Sequence, residues 1–153
     1  MINFALCTAL LLCFLPSTSG DGIDCPPECQ LEQVSAYFRA LDKVFQEGST
    51  VADVDDLLSI LHERVRYVHA EYEADFGREA WRAAFTGNLE RGAYRNGPER
   101  QIGIVKVIHG KNHIAVAYAH GEVLPDGTWK SGEALLALFR FTDGRISLIE
   151  ELW

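Results

Sequence analysis

Basic side chains are scarce in this chain: 14 Lys and Arg stand against 22 Asp and Glu, a formal net charge of -8. A surface of that sign repels phosphate backbones and anionic headgroups, which argues against nucleic acid or a membrane surface as a partner. Several chemical signatures are also missing. No glycine-rich phosphate loop follows a strand and no Gly-x-Ser-x-Gly elbow occurs. Beyond residue 20 only Cys25 and Cys29 remain, without Cys-x-x-Cys spacing and without a nucleophilic Cys-His arrangement. His109 and His113 flank a turn but have no nearby carboxylate or thiolate as a third ligand, so a solvated hairpin is the better reading. The acidic stretch Glu71 to Asp75 lacks the ordered spacing of a calcium loop. No metal and no cofactor is implied.

Residues 1–20 carry no charged side chain. Phe4 to Leu15 is an apolar run, followed by Pro16 and the small residues Ser17 to Gly20. Although a basic start is missing, this is the pattern of a secretory signal cleaved near Gly20, and it is too short to span a bilayer. The mature protein is therefore expected to be secreted or periplasmic. Cleavage removes Cys7 and Cys13 and leaves Cys25 and Cys29 in a leader over 21–29. In an oxidising compartment the natural outcome is a local Cys25–Cys29 disulfide.

The 153 residues, 48% of them hydrophobic and 24% charged, suit one globular domain, here 30–153. Leu31, Val34, Phe38, Leu41 and Phe45 recur at helical spacing, with Gly48 as the stop. Thr50-Val51-Ala52-Asp53 has the pattern of a capping box and opens a second helix burying Val54, Leu57, Leu58 and Leu61. Arg64 to His69 alternates as a strand. A loop through Tyr72 and Gly77 leads to a third helix with Trp81, Ala84, Phe85 and Leu89 on one face and Gly92 at its end. Tyr94 to Pro98 reads as a polar connector with an Asn-Gly turn signal.

From Gln101 to Trp153 four strands follow, separated by Gly110-Lys111-Asn112, Pro125-Asp126-Gly127 and Thr142-Asp143-Gly144. Helices before such a meander imply an α+β fold: a curved antiparallel sheet with about three helices on its concave face. Taking both Asp-Gly connectors as three-residue loops pairs Leu124 with Thr128 and Phe141 with Arg145. Ala115, Ala117 and Ala119 then share a face with Glu133, Leu135, Ala137 and Phe139, and with Ile149, Glu151 and Trp153. Three alternate alanines leave room there for a cavity or a close helix. The opposite face is then Val116, Tyr118, His120, Leu136, Leu138 and Leu148, apolar enough to suggest a homodimer through the outer sheet face.

The order helix, helix, short strand, helix, meander resembles the NTF2-like superfamily, the cone-shaped fold of ketosteroid isomerases and SnoaL-like polyketide cyclases. Val65 to His69 through Gly77 to Trp81, and Phe139 to Ile146 continuing to Trp153, carry the likeness over about residues 30–153. The chain is most similar to a branch named for nuclear transport factor 2, whose Tyr-Val-His, Tyr, Asn and Gly-x-Tyr match His69, Tyr72, Asn88, Gly92 and Tyr94. By resemblance, His69 stands where the isomerases place their carboxylate base, Ala137 where they place an oxyanion-hole acid, and Trp153 where an aromatic lines the pocket. Alanine donates no hydrogen bond, so the familiar isomerisation route is not expected.

The likeness implies a conical pocket for a small, mostly apolar ligand. His69 is the candidate base, since imidazole titrates near neutral pH, against the plainer reading of a wall or core histidine. Tyr72, Tyr94, Glu133, Ala137, Ile149 and Trp153 are the candidate ligand contacts. Two alternatives stand beside simple binding: an isomerase- or cyclase-type enzyme using His69, and a module that docks another protein through the sheet face.

Overall fold

The computed structural model describes residues 23–95 and 100–153. Residues 1–20, expected to be a secretory signal, and the Asn96-Gly97 turn signal lie outside the described residues. Helix α1 runs Pro27–Phe45 and α2 Val51–Ser59. Strand β1, Arg66–His69, leads through a short 3-10 turn to β2, Ala74–Gly77, and helix α3, Arg78–Glu90. Four strands complete the chain: β3 Arg100–Gly110, β4 His113–Val123, β5 Trp129–Thr142 and β6 Arg145–Glu151.

The six strands form one sheet in the order β2-β1-β6-β5-β4-β3. It is mixed rather than wholly antiparallel, because β1 runs parallel to β6. The loop expected before α3 also contains the edge strand β2, with Phe76 opposite Tyr67 and Asp75 opposite Val68. The architecture is that of an NTF2-like α+β fold, three helices against a curved, unclosed sheet.

Helix α1 starts earlier than the leader boundary suggested. Pro26 and Pro27 suit a helix start, where a missing N–H costs nothing, so Cys29 falls in the first turn. Its sulfur is bonded to that of Cys25. The buried stripe is also rotated from the expected one. Val34, Tyr37, Phe38, Leu41 and Val44 face the core, while Leu31 is exposed. Gln30 takes the core position in the first turn, donating from Nε2 to the carbonyls of Cys25 and Gly110, each at 2.8 Å. Those bonds make a buried amide tolerable and tie α1 to the β3–β4 hairpin.

At α2 the backbone N–H and hydroxyl of Thr50 both donate to Asp53 Oδ2 at 2.8 Å. Lys43 reaches the other oxygen at 2.6 Å, so α1 and α2 are joined at this cap. Val54, Leu57, Leu58 and Leu61 are all buried.

The sheet register decides the cavity wall. Leu124 and Thr128 close a three-residue loop as expected, with Gly127 at positive φ. Between Ala119 and Gly121 the pairing then shifts, because β5 carries one extra residue in the bulge around Gly132 and Glu133. One extra residue exchanges the faces. Val116 therefore pairs with Ala137 and Tyr118 with Leu135, so Ile114, Val116 and Tyr118 point inward with Ala137, Phe139, Ile149 and Glu151. Ala115 and Ala117 lie on the outer face instead, opposite Leu138 and Leu136.

The last hairpin differs as well. Thr142 pairs with Arg145 across a two-residue Asp143-Gly144 turn, both at positive φ, the geometry that matches strand twist. A bulge between Arg140 and Phe141 restores the parity, so β5 and β6 keep their expected inner residues from Phe139 onward.

Candidate functional site

Between α1, α3 and the inner sheet face lies a cavity of about 300 Å³, open to solvent on one side. Nine of its fifteen described lining residues are aromatic. Tyr37 and Phe45 come from α1, Tyr67 from β1, Phe76 from β2, Trp81 and Phe85 from α3, and Tyr118 from β4. Tyr94 and Trp153 complete the set. Stacking of Tyr67 on Trp81, with centroids 5.0 Å apart and planes 22° apart, fixes the wall where the edge strands meet α3.

One carboxylate belongs to this lining, that of Glu151. Tyr118 Oη donates to Glu151 Oε2 at 2.8 Å and Trp153 Nε1 donates to the same oxygen at 2.8 Å. The indole N–H also lies 3.0 Å from Tyr118 Oη, so the three polar groups form a closed triangle. The other oxygen, Oε1, takes neither bond. Burial raises the Glu151 pKa above the ordinary carboxylate range, and the two donors oppose that shift without cancelling it. Tyr37, Tyr67 and Tyr118 are each pushed upward, first by burial and then by the Glu151 charge. These phenols therefore stay protonated at neutral pH, and Tyr118 donates its hydrogen bond to Glu151.

Two further polar groups line the cavity, Asn88 and His120. Asn88 Nδ2 donates to Tyr94 Oη at 3.0 Å while its carbonyl oxygen accepts from Arg91 at 2.5 Å, which orients the amide. Among the described residues no Lys or Arg lines the cavity. Among the described residues no group of three or more His, Cys, Asp and Glu has metal-site geometry.

The residues singled out from the sequence are distributed unevenly about this cavity. Tyr94 and Trp153 line it. His69 is buried on the inner face but is not among the lining residues. Its ring is packed between Tyr72, at a centroid distance of 4.3 Å, and the edge of Trp153 at 4.5 Å. Neither ring nitrogen has a partner among the described residues. Tyr72 is 69% exposed and covers His69 rather than a ligand space. Ala137 and Ile149 are fully buried core residues outside the lining. Glu133 is exposed, because the bulge ends the inner-face register before reaching it.

Sequence reasoning passed over Tyr118, Glu151, Tyr37 and Tyr67 as a cluster. Glu151 was on the correct face, but its partner Tyr118 was on the opposite one until the bulge was taken into account. The usable signal was an acidic residue among alternating apolar ones at the end of the last strand.

The chain matches the SnoaL-like domain model over residues 32–149. It therefore belongs to the SnoaL-like family. Among curated proteins no sequence matches it. Three solved structures are similar in fold. TerC co-crystallised with polyporic acid has a TM-score of 0.56 at 16% identity, covering 82% of this chain and 91% of that one. A SnoaL-like protein of unknown function from Burkholderia thailandensis has a TM-score of 0.55 at 13% identity, covering 82% and 95%. A protein with a ketosteroid isomerase-like fold from Catenulispora acidiphila, solved in complex with trimethylamine, has a TM-score of 0.50 at 15% identity, covering 83% and 85%. At such identities the likeness is one of fold.

Proposed function

We propose that this chain binds a small, mostly apolar molecule in the conical cavity, with Glu151 as the polar anchor on its wall. The observation that carries this reading is a 300 Å³ space walled largely by aromatic rings, with a carboxyl group held in place by Tyr118 and Trp153. A concave, largely apolar site with a few fixed polar groups is the usual form of a small-molecule site. Titration of the purified protein with neutral aminoanthracene tests it. Saturable binding at one site per chain, lost in a folded Ala84→Trp variant that fills the space, is expected. Unsaturable binding, or binding unchanged in that variant, would overturn it.

A catalytic version has His69 taking a proton beside a carbonyl while Tyr72 or Tyr94 stabilises the enolate. It requires Trp153 to swing aside, because the indole edge stands against the imidazole.

Two proposals concern the setting of the domain. Residues 1–20 direct export to the periplasm or medium; the apolar run and the Cys25–Cys29 bond support this, and a mature N-terminus near Asp21 is the test. A second copy of the chain covers the outer sheet face, where Ile108 and Leu136 are 66% and 42% exposed.

A further inference from the structure

The cavity combines two features that oppose each other when it is empty. Aromatic rings surround it, and a carboxyl group belongs to its wall. Ring faces carry partial negative charge, and a carboxylate removed from water is costly unless it is paired. Among the described residues no Lys or Arg side chain belongs to the lining and none is ion-paired with Glu151. The titratable groups around it are Tyr37 from α1, Tyr67 and His69 from β1, and Tyr118 and His120 from β4. The phenols of Tyr67 and Tyr118 are kept neutral by burial and by the nearby negative charge. A neutral apolar ligand leaves the carboxylate unpaired. An anion would meet both the ring faces and the carboxylate, and would be rejected.

We propose that the ligand is a small organic cation, a tertiary or quaternary ammonium whose charged head sits against Glu151 among the rings of Tyr37, Tyr67, Tyr118 and Trp153. Glu151 Oε2 remains bonded to Tyr118 and Trp153, so the contact with the ammonium group is assigned to Oε1, which takes neither of those bonds. An alkylated head suits the site better than a bare ammonium ion. Its methyl groups lie on the rings, and it needs few hydrogen-bond acceptors where the wall offers few.

This inference rests on the cavity being the ligand site, and the experiment separates the two claims. Choline and its neutral carbon analogue dimethylbutanol are titrated into the full-length mature protein by calorimetry, with aminoanthracene as an independent probe of the cavity. Choline is expected to bind roughly tenfold more tightly than dimethylbutanol, a gap set by the cation–aromatic and carboxylate contacts. In Glu151→Gln the two should bind within about twofold of each other. Dimethylbutanol binding as tightly as choline, while aminoanthracene still binds, overturns the cation proposal and leaves the apolar site standing. Failure of all three probes overturns both claims. Should Glu151→Gln fail to fold, the comparison of choline with dimethylbutanol in the unaltered protein decides the matter alone.

Discussion

His69 and Glu151 are direct neighbours across the parallel β1–β6 ladder, yet they lie in different environments. Glu151 is bonded to Tyr118 and Trp153 at the cavity wall. His69, one strand away, sits under Tyr72 and Trp153 with both ring nitrogens unpartnered among the described residues. Of the two neighbours, only Glu151 lines the cavity.

A buried imidazole that makes no hydrogen bond contributes shape more than polarity. His69→Phe is expected to change stability by less than about 1.5 kcal/mol, as a near-isosteric exchange. His69→Ala is expected to cost about 2–4 kcal/mol by opening a hole beneath Trp153. Urea melts of both variants check this. Equal losses in the two would mean that a hydrogen bond of His69 matters.

The raised Glu151 pKa has a definite stability sign. A carboxyl whose folded pKa lies above its unfolded value stabilises fully below the unfolded value and loses that contribution as pH rises through the folded one. The half-buried Asp42, raised by burial and opposed by its bond from the Ile102 amide, acts in the same direction. Thermal melts of the unliganded protein and of Glu151→Gln should therefore diverge as pH rises from about 4.5, the variant becoming relatively more stable. Parallel curves across that range would show that Glu151 is not desolvated.

Asp53 behaves in the opposite way. Lys43, followed by the Thr50 hydroxyl and amide, lowers its pKa to about 2. Its contribution is present above the ordinary value of 3.8 and disappears as pH falls toward about 2. Thr50→Ala should cost about 0.5–2 kcal/mol at neutral pH. A denaturant midpoint unchanged in that variant would remove the cap from the account.

On the outer face Trp129 lies across two glycines. A Cβ on Gly121 would stand 2.3 Å from the indole, and one on Gly103 would stand 2.5 Å from it. Gly121→Ala should destabilise by about 1–3 kcal/mol through that overlap, and Trp129→Leu in the same chain should recover part of the loss. No recovery would mean that the backbone at Gly121, not the indole contact, sets the cost.

The outer face also bears on assembly. Light scattering of the unaltered protein should give about twice the chain mass, and Ile108→Glu with Leu136→Glu should halve it. A monomer in the unaltered protein would show that no second copy occupies this face.

The approximate places of the helices and hairpin turns were legible in the sequence because they are local, although the last turn has two residues where three were expected. Thr50 and Asp53 are three residues apart, and Gly127 announces its own turn. What could not be read are features set by distant partners. The parallel pairing of β1 with β6 joins segments some eighty residues apart in the chain. The bulge at Gly132 leaves no mark except a glycine whose Cβ would meet the His120 carbonyl oxygen at 2.5 Å. That single residue moved Tyr118 from the outer face to the cavity and concealed its bond to Glu151. Tyr37 was similarly obscured, because Leu31 suggested a helix stripe that Gln30 in fact displaces.

Three tryptophans provide the most direct test of where a ligand enters. Trp81 and Trp153 line the cavity, and Trp129 lies on the far side of the sheet against Gly103 and Gly121. Their indole N–H resonances should be recorded by nitrogen-correlated NMR while aminoanthracene is added to the purified protein. The account predicts saturable shifts at Trp81 and Trp153 with Trp129 unmoved; a shift confined to Trp129, or none at the cavity pair under saturation, would contradict it.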